Sequence, residues 1–258
     1  GTNPQFTLSD TDWLGLSEFT PDNYDFSPAF GDIDGDGDQD LIVGHNDGGF
    51  FCYRNAVGPG IPMNLSRDFS PMWQNMDLVG LVATPTLVDL TGDGLPDIVA
   101  GERNGNINLF ENTGSATNPQ YPSTPTIQKL GLVDTRLFGE AVGFSTPVFI
   151  NTPTGRLLVA GTNSGQLEAY QNFSLTDTFD LVDPLWGNVD EGSRTHPAFA
   201  DLDNDGILEM VVGNLRGGLS LFKTNIGTVA VRQPATPEPV VHISPNPARD
   251  WLSISVQP

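Results

Sequence analysis

Residues 28–44 of this chain read PAFGDIDGDGDQDLIVG, an aspartate-rich turn between two apolar runs. The stretch returns at 85–101 as PTLVDLTGDGLPDIVAG, at 147–161 as PVFINTPTGRLLVAG and at 197–213 as PAFADLDNDGILEMVVG. The opening proline and the closing glycine are 16 residues apart in three copies and 14 apart in the third. Self-similarity with a period of roughly 50–60 residues is typical of a repeat architecture, so we interpret the chain as a repeat protein.

Each copy contributes runs of Val, Ile, Leu and Phe that are bounded by Gly, Asn, Asp and Pro, without a helical period. Such runs predict β-strands. A third run follows a glycine turn and closes on asparagine, and a weaker fourth lies between repeats; the third runs are 50–55, 107–112, 167–172 and 219–225. Four antiparallel strands per repeat are typical of a propeller blade. We therefore predict an all-β fold, a β-propeller built from four-stranded antiparallel blades.

The repeats divide the chain into three parts. Residues 229–240 form a proline-rich linker, and residues 241–258 offer two alternating strands around a Pro-Asn-Pro turn. Residues 2–6 match residues 117–121, which lie in the outer part of a repeat, so we expect the chain to begin inside a blade of a larger propeller. The propeller part is residues 1–228, with repeats at about 27–55, 84–112, 145–172 and 195–225.

An aspartate-rich loop joins the first two strands of three repeats. Oxygen donors fall at loop positions 1, 3, 5 and 9, glycine at position 6 permits a sharp turn, and the carbonyl at position 7 offers a further ligand. Ca²⁺ takes about six to eight oxygen ligands, and a cation offsets the repulsion among crowded carboxylates. The sequence therefore predicts three Ca²⁺ sites, formed by Asp32, Asp34, Asp36, Asp38 and Asp40, by Asp89, Thr91, Asp93, Leu95 and Asp97, and by Asp201, Asp203, Asp205, Ile207 and Glu209.

Two other interpretations of these loops compete with calcium binding. An EF-hand requires a glutamate at position 12 between flanking helices, but position 12 is Val43, Ala100 or Val212 inside an apolar run. Solvated acidic turns without a metal remain an alternative. Thr91 is expected to weaken the second site. The third repeat has no carboxylate in its turn, so we predict no metal there, and Arg156 is expected to direct its charge toward neighbouring acidic loops.

Composition excludes several classes of function. The chain carries 32 Asp and Glu against 11 Lys and Arg, a net charge of −21, and such a chain repels nucleic acid. It contains no apolar stretch of membrane-spanning length. It also lacks the histidine, nucleophile and phosphate-loop motifs of common enzymes, so we assign no catalytic residue. Trp13, Trp73 and Trp186 lie in variable outer segments and are candidates for exposed contacts such as sugar stacking.

The pattern in residues 28–44 resembles the FG-GAP/VCBS repeat of integrin α-type β-propellers. The resemblance covers roughly residues 1–228, with one degenerate copy at residues 147–161. It implies four-stranded blades around an axis, with Ca²⁺ bound in the loop between the first two strands of a blade.

The tail carries a second resemblance. Its Pro245-Asn246-Pro247 stretch, followed by an alternating strand, resembles the start of the C-terminal sorting domain of the type IX secretion system. That resemblance implies a bacterium of the Bacteroidota, export by the secretion machinery, and a location outside the cell or on its outer surface.

Three functions remain open at the level of sequence. The leading interpretation is a Ca²⁺-stabilised, non-catalytic module for protein or glycan binding and adhesion. The alternative is an accessory or catalytic propeller of a secreted polysaccharide-degrading enzyme. A structural stalk or spacer is the third.

Overall fold

The structure is a computed structural model of the 258-residue chain that describes residues 10, 12–19, 24–58, 61–77, 80–228, 240–244 and 253–257. Strands dominate it, so the fold is all-β, as the sequence predicts. The helices are one short α-helix, α1 (Pro71–Gln74), and 3₁₀ turns at Trp13–Phe19, Leu130–Leu132 and Trp186–Asn188. No helix within the described ranges has the length and apolar character needed to cross a bilayer.

The strands form successive antiparallel sheets in chain order, which we call blades 1 to 4. Blades 1 and 3 have four strands, and the described parts of blades 2 and 4 have three. The strands are β1 (Ser27–Gly31), β2 (Asp40–Gly44), β3 (Phe50–Asn55) and β4 (Leu65–Asp68) in blade 1; β5 (Thr84–Val88), β6 (Asp97–Gly101) and β7 (Ile107–Phe110) in blade 2; β8 (Thr146–Thr152), β9 (Gly155–Gly161), β10 (Leu167–Gln171) and β11 (Asp180–Asp183) in blade 3; and β12 (His196–Ala200), β13 (Ile207–Gly213) and β14 (Leu219–Gly227) in blade 4.

All four blades share one strand register. The residue before the opening proline of each repeat lies opposite the closing glycine, as Ser27 does opposite Gly44 in blade 1 and His196 opposite Gly213 in blade 4. A slip of one residue would turn the apolar side chains to the wrong face of the sheet, so the shared pattern of apolar residues fixes the shared register. The first strands of successive blades contact one another, from β1 through β5 and β8 to β12. The sheets are therefore arranged as the blades of a propeller.

The blades are held together by apolar side chains on their facing surfaces. We call the surface of a blade toward the next blade in sequence its forward face. The forward face of blade 1 presents Ile42, Phe50 and Cys52, which pack against Ile98 and Phe110 of blade 2. Burying a side chain such as Ile or Phe contributes about 1.5–3 kcal/mol. The forward faces of blades 2 and 3 are buried in the same way, by Val99, Ile107 and Leu109 against Leu158, Ala160 and Tyr170, and by Val159, Leu167 and Ala169 against Met210, Val212 and Phe222.

The closing glycines lie where the backbone of the next blade crosses. A Cβ atom on Gly44 would lie 2.2 Å from the carbonyl oxygen of Ala83, which is too close for any side chain. Gly101 and Gly161 meet the next blade in the same way, at 2.1 Å from the carbonyls of Ser145 and Thr195. Backbone N–H groups of the incoming blade donate to the carbonyls just after these glycines, Ala83 to His45, Ser145 to Glu102 and Thr195 to Thr162, at 3.0, 3.1 and 3.1 Å.

The forward face of blade 4 differs from the other three. Leu219 and Leu221 are 36% and 62% exposed, whereas the residues at the same register positions in the other blades are almost fully buried. Gly213 meets the Leu219 side chain of its own blade, and no backbone of a following blade is found near it within the described part of the chain. The opposite end of the array, on blade 1, is packed against Leu14 and Leu16.

The remaining predictions on the fold have mixed outcomes. The tail forms the predicted pair of strands, β15 (Val240–Ser244) and β16 (Ser253–Gln257), which are antiparallel. The linker predicted at 229–240 lies outside the described residues except for Val240, and so does the match at residues 2–6. The expectation that Trp73 is exposed is wrong. Its side chain is 2% exposed because it packs on Tyr121 of the next repeat and its indole N–H donates to Asp68 at 3.0 Å.

Candidate cation-binding loops

The three acidic loops join the first and second strands of blades 1, 2 and 4, and we call them loops 1, 2 and 4. The aspartate at position 1 organises each loop by accepting backbone N–H groups. In loop 1 the two carboxylate oxygens of Asp32 accept from Gly35 at 2.6 Å and from Gly37 at 3.1 Å. Asp89 and Asp201 accept in the same manner in loops 2 and 4. The position-6 glycines have φ of 92°, 86° and 84°, which explains why this position is glycine in Gly37, Gly94 and Gly206.

The carboxylate at position 9 braces the loop, and in loops 1 and 2 it also ties the loop to the end of the third run. The two oxygens of Asp40 accept from the backbone N–H of Ile33 at 3.0 Å and of Asn55 at 2.8 Å, and the side chain is fully buried. Burial raises the pKa of Asp40. In loop 2, Asp97 accepts from Leu90 and Thr91 at 3.0 Å each and from Asn112 at 2.9 Å. In loop 4, Glu209 accepts from Leu202 at 2.8 Å.

This bracing role of position 9 was missed at the level of sequence, where the residue was assigned only as a metal ligand. The available signal was the asparagine that recurs at the end of the third run. Asn55 and Asn112 carry the N–H groups that Asp40 and Asp97 accept. The contact joins residues 15 positions apart, so only the repeat alignment could have indicated it.

The structure brings some of the predicted ligands together. The carboxylates of Asp32, Asp34 and Asp36 offer oxygens within 4.8 Å of one another, and those of Asp201, Asp203 and Glu209 do the same. In loop 2, all of whose residues are described, no such group of three forms. The threonine at position 3 accounts for this difference, since the equivalent position carries a carboxylate in loops 1 and 4. The carboxylates at position 5 also brace the turn. Those of Asp36, Asp93 and Asp205 each accept from the backbone N–H of the residue at position 7, which is Asp38, Leu95 or Ile207.

Loops 1 and 2 contain buried side-chain oxygens that have no hydrogen-bond partner. Asp38 is 5% exposed; one of its oxygens accepts from Gly58 at 2.9 Å, and its Oδ1 has no partner. The Oδ1 of Asp34 and the Oγ1 of Thr91 are also buried without one. Burial, reinforced by the charges of Asp36 and Asp40, raises the pKa of Asp38 to about 6. An unpaired buried acceptor costs about 1–3 kcal/mol, and an oxygen-binding cation removes that cost.

Two of the loops also carry a basic side chain from the third strand. Arg54 places its Nη1 3.3 Å from Asp34 and 3.4 Å from Asp40. Lys223, at the equivalent position of blade 4, places its Nζ 3.3 Å from Asp203. Blade 2 has Glu111 at this position, where its loop carries Thr91 in place of the aspartate. A basic residue on the third strand thus accompanies a carboxylate at loop position 3.

Blade 3 supplies the basic residue for loop 2. The Nη1 of Arg156 donates to the main-chain carbonyl of Asp89 at 2.7 Å, so the predicted direction of this arginine is confirmed. Its own turn, residues 151–156, contains no carboxylate and closes as a tight hairpin. The blade without an acidic loop therefore places a positive charge on the loop of its neighbour.

The donor set fits a hard divalent cation. Every side-chain ligand offered by loops 1, 2 and 4 is a carboxylate or hydroxyl oxygen, and this donor chemistry suits Ca²⁺ better than softer transition metals. Loops 1 and 4 combine three converging carboxylates with a braced turn, while loop 2 offers fewer charges.

Comparison with known proteins adds little to this geometry. No family model matches the sequence, and no curated protein matches it. The chain is similar to a solved structure described as the crystal structure of BBS1N in complex with ARL6DN, soaked with lead. The two share 14% sequence identity over 80% of this chain and 57% of that one, with a TM-score of 0.38. This chain therefore spans a little over half the length of that one.

Proposed function

We propose that this protein is a calcium-stabilised, non-catalytic β-propeller module of the FG-GAP/VCBS type that binds a protein or glycan ligand outside a bacterial cell. The observation that supports the calcium part most strongly is the buried, unpartnered oxygen of Asp38 in a loop whose other carboxylates converge. The same braced turn recurs in loops 2 and 4. The recurrence of this turn in three loops supports the same cation-binding role for all three.

In this proposal Asp32, Asp34, Asp36 and Asp38 hold Ca²⁺ in loop 1, and Asp201, Asp203 and Glu209 hold it in loop 4. Loop 2 binds it more weakly through Asp89, Thr91, Asp93, Leu95 and Asp97. The ion supplies positive charge to a crowded set of carboxylates. The carboxylates at positions 1 and 9 keep the loop in its folded shape, because they accept hydrogen bonds from backbone N–H groups. An ion that binds the folded state and not the unfolded state stabilises the folded state. The gain is about 2.7 kcal/mol per site when the ion is at one hundred times its dissociation constant.

Calorimetric titration tests the calcium sites directly. Adding Ca²⁺ to chelator-treated protein is expected to reveal two stronger sites and one weaker site. Asp32→Asn should remove one strong site and Asp201→Asn the other, because each replaces the carboxylate that organises its loop. Asp134→Asn is the matched control, since Asp134 pairs with Arg136 outside the loops. Titrations that show no heat, or that these loop variants leave unchanged, would contradict the assignment.

The proposed location rests on the tail. Residues 241–258 resemble the start of a type IX sorting domain, and the strands β15 and β16 flank the Pro-Asn-Pro stretch of that resemblance. Deleting residues 241–258 from the gene in its native host is expected to remove the protein from the medium and the outer surface. Unchanged export would contradict this part of the proposal. Cleavage of a polysaccharide by the purified protein would favour the enzyme alternative.

A further inference from the structure

A cavity of about 760 Å³ opens on blade 1, at the end of the sheet opposite loop 1. One wall is the turn between β2 and β3, with His45 and Asp47, and the other is the segment from the end of β4 through α1. Trp73 and Met76 form part of the lining and are almost fully buried, so packed core supports the cavity. Its volume lies within the range of small-molecule binding sites, about 300–1,000 Å³.

An open aromatic surface forms part of the second wall. Phe69 is 64% exposed, and the guanidinium of Arg67 lies 4.9 Å from its ring centroid and 4.2 Å from that of Phe51. The ring of Phe69 is thus held beside a planar cation and presents much of its surface to the solvent. Such a ring offers a platform for a flat apolar surface of a ligand.

The first wall contains a polar atom that lacks a partner. His45 is 9% exposed and stacks on Phe51, with 4.7 Å between the ring centroids. Its Nδ1 is buried and makes no hydrogen bond. Burial lowers the pKa of His45, so the imidazole is neutral at pH 7 and its nitrogens are one donor and one acceptor. Because Nδ1 is enclosed by the protein, a ligand in the cavity does not reach it, and His45 contributes the surface of a neutral ring to the wall.

The equivalent position of blade 2 shows what a closed version of this cavity looks like. Glu102 stands at the register position of His45, and its carboxylate accepts from the side-chain amides of Asn104 and Asn106 at 2.9 Å each. The cavity there is about 240 Å³ and is lined by polar side chains, among them these three bonded residues. In blade 1 the same register position carries the imidazole of His45, and the cavity is larger and has the exposed ring of Phe69 in its wall. Blade 1 therefore has the space and the open aromatic surface that blade 2 lacks at this position.

The charges in the cavity lining restrict the chemical class of ligand that can bind there. The cavity lining holds the carboxylates of Asp47, Asp68 and Asp77 against the single guanidinium of Arg67, within a chain of net charge −21. Phosphate, sulfate and uronic acid groups are repelled by this balance. A basic peptide is attracted by the same carboxylates, but a cation placed on the Phe69 ring would lie beside the guanidinium of Arg67 and be repelled by it. A neutral polyhydroxyl ligand meets neither penalty, because its hydroxyls donate to the carboxylates and its C–H surface stacks on Phe69.

We propose that the blade 1 cavity binds a neutral oligosaccharide, with one sugar ring stacked on Phe69 and its hydroxyls donating to the carboxylates of the lining. The inference rests on the proposed binding function and assigns it a place and a ligand class. The site lies on the face of blade 1 opposite loop 1, so ligand binding and calcium binding use different ends of the blade.

The test is a titration of the calcium-loaded protein with cellohexaose, xylohexaose, mannohexaose and laminarihexaose, followed by calorimetry and by the indole N–H resonance of Trp73. At least one neutral hexasaccharide is expected to bind and to shift that resonance. Hexagalacturonate, the acidic probe, is expected not to bind. Phe69→Ala should weaken binding at least tenfold, and Phe138→Ala, which removes another fully exposed ring, should leave it unchanged.

The outcomes separate this site from the broader proposal. Binding that survives Phe69→Ala would overturn the cavity assignment while leaving a glycan-binding function in place. Equal binding of hexagalacturonate would overturn the assigned ligand class. If none of the four neutral probes binds, the inference fails, and the calcium titration of the same sample shows whether the stabilising role of the loops stands without it.

Discussion

Blades 1 and 3 close the same hairpin in two ways. Blade 1 joins its first two strands through a nine-residue loop with five aspartates, whereas blade 3 uses a tight turn with no carboxylate. Both hairpins keep the register that sets the opening residue opposite the closing glycine. The strands therefore pair without an acidic loop, and the loop is an addition that the blade does not need for its fold. What the addition brings is a set of oxygens whose repulsion a cation relieves.

Among the loop variants, Asp97→Ala is expected to lower the free energy of unfolding the most. The change leaves the buried N–H group of Asn112 and the half-buried N–H groups of Leu90 and Thr91 without an acceptor, which costs about 3–5 kcal/mol in the free energy of unfolding. Urea denaturation measures it, with chelator present so that metal binding does not contribute. Asp97→Asn is the control, because its amide oxygen keeps one acceptor and should cost less. Equal stability of Asp97→Ala and the unmodified chain would show that the bracing role of position 9 is wrong.

Arg156→Ala tests how blade 3 supports loop 2. Removing the guanidinium takes away the hydrogen bond to the carbonyl of Asp89 and a positive charge beside the loop. We expect the free energy of unfolding to fall by about 1 kcal/mol in chelator, since the contact is a charged hydrogen bond near the surface. Arg156→Lys keeps the charge and should recover part of the loss. An unchanged urea midpoint for Arg156→Ala would contradict this contribution.

The smallest effect is expected from Lys223→Gln in blade 4. Lys223 is well exposed and its contact with Asp203 is screened by water, so stability in chelator should stay unchanged within error. Calcium binding to loop 4 should instead become about threefold tighter, because Asp203 no longer has a competing cation nearby. Calorimetric titration measures this change. Weaker binding in the variant would show that Lys223 assists the ion instead of competing with it.

The alternation of apolar residues and the spacing of glycines were enough to predict the blades. Ile42 and Ile98 belong to apolar runs that predict a strand with a buried face, whichever sheet covers that face. Gly37 marks the turn of its loop because a positive φ favours glycine. The convergence of carboxylates in loops 1 and 4 was predictable for the same reason, because these residues lie within nine consecutive positions. Features formed by residues that lie close together in the sequence could therefore be predicted from it.

The contacts that could not be predicted join distant parts of the chain. Trp73 is buried because Tyr121, 48 residues later, packs on its ring, and no feature of its own segment indicates this. Arg54 reaches Asp34 across the width of the sheet. The cavity beside His45 depends on how the short helix α1 lies against the turn between β2 and β3. Each of these depends on tertiary packing that a repeat alignment does not specify.

Thermal unfolding in millimolar Ca²⁺ and in EDTA, at matched ionic strength, shows whether calcium stabilises this propeller. We expect a higher melting temperature in Ca²⁺, with a rise of about 2–4 °C for each kcal/mol of binding energy in a domain of this size. The double variant Asp32→Asn, Asp201→Asn should lose most of that rise, while Asp134→Asn should keep it. Coincident melting curves of the unmodified protein in Ca²⁺ and EDTA would contradict the account.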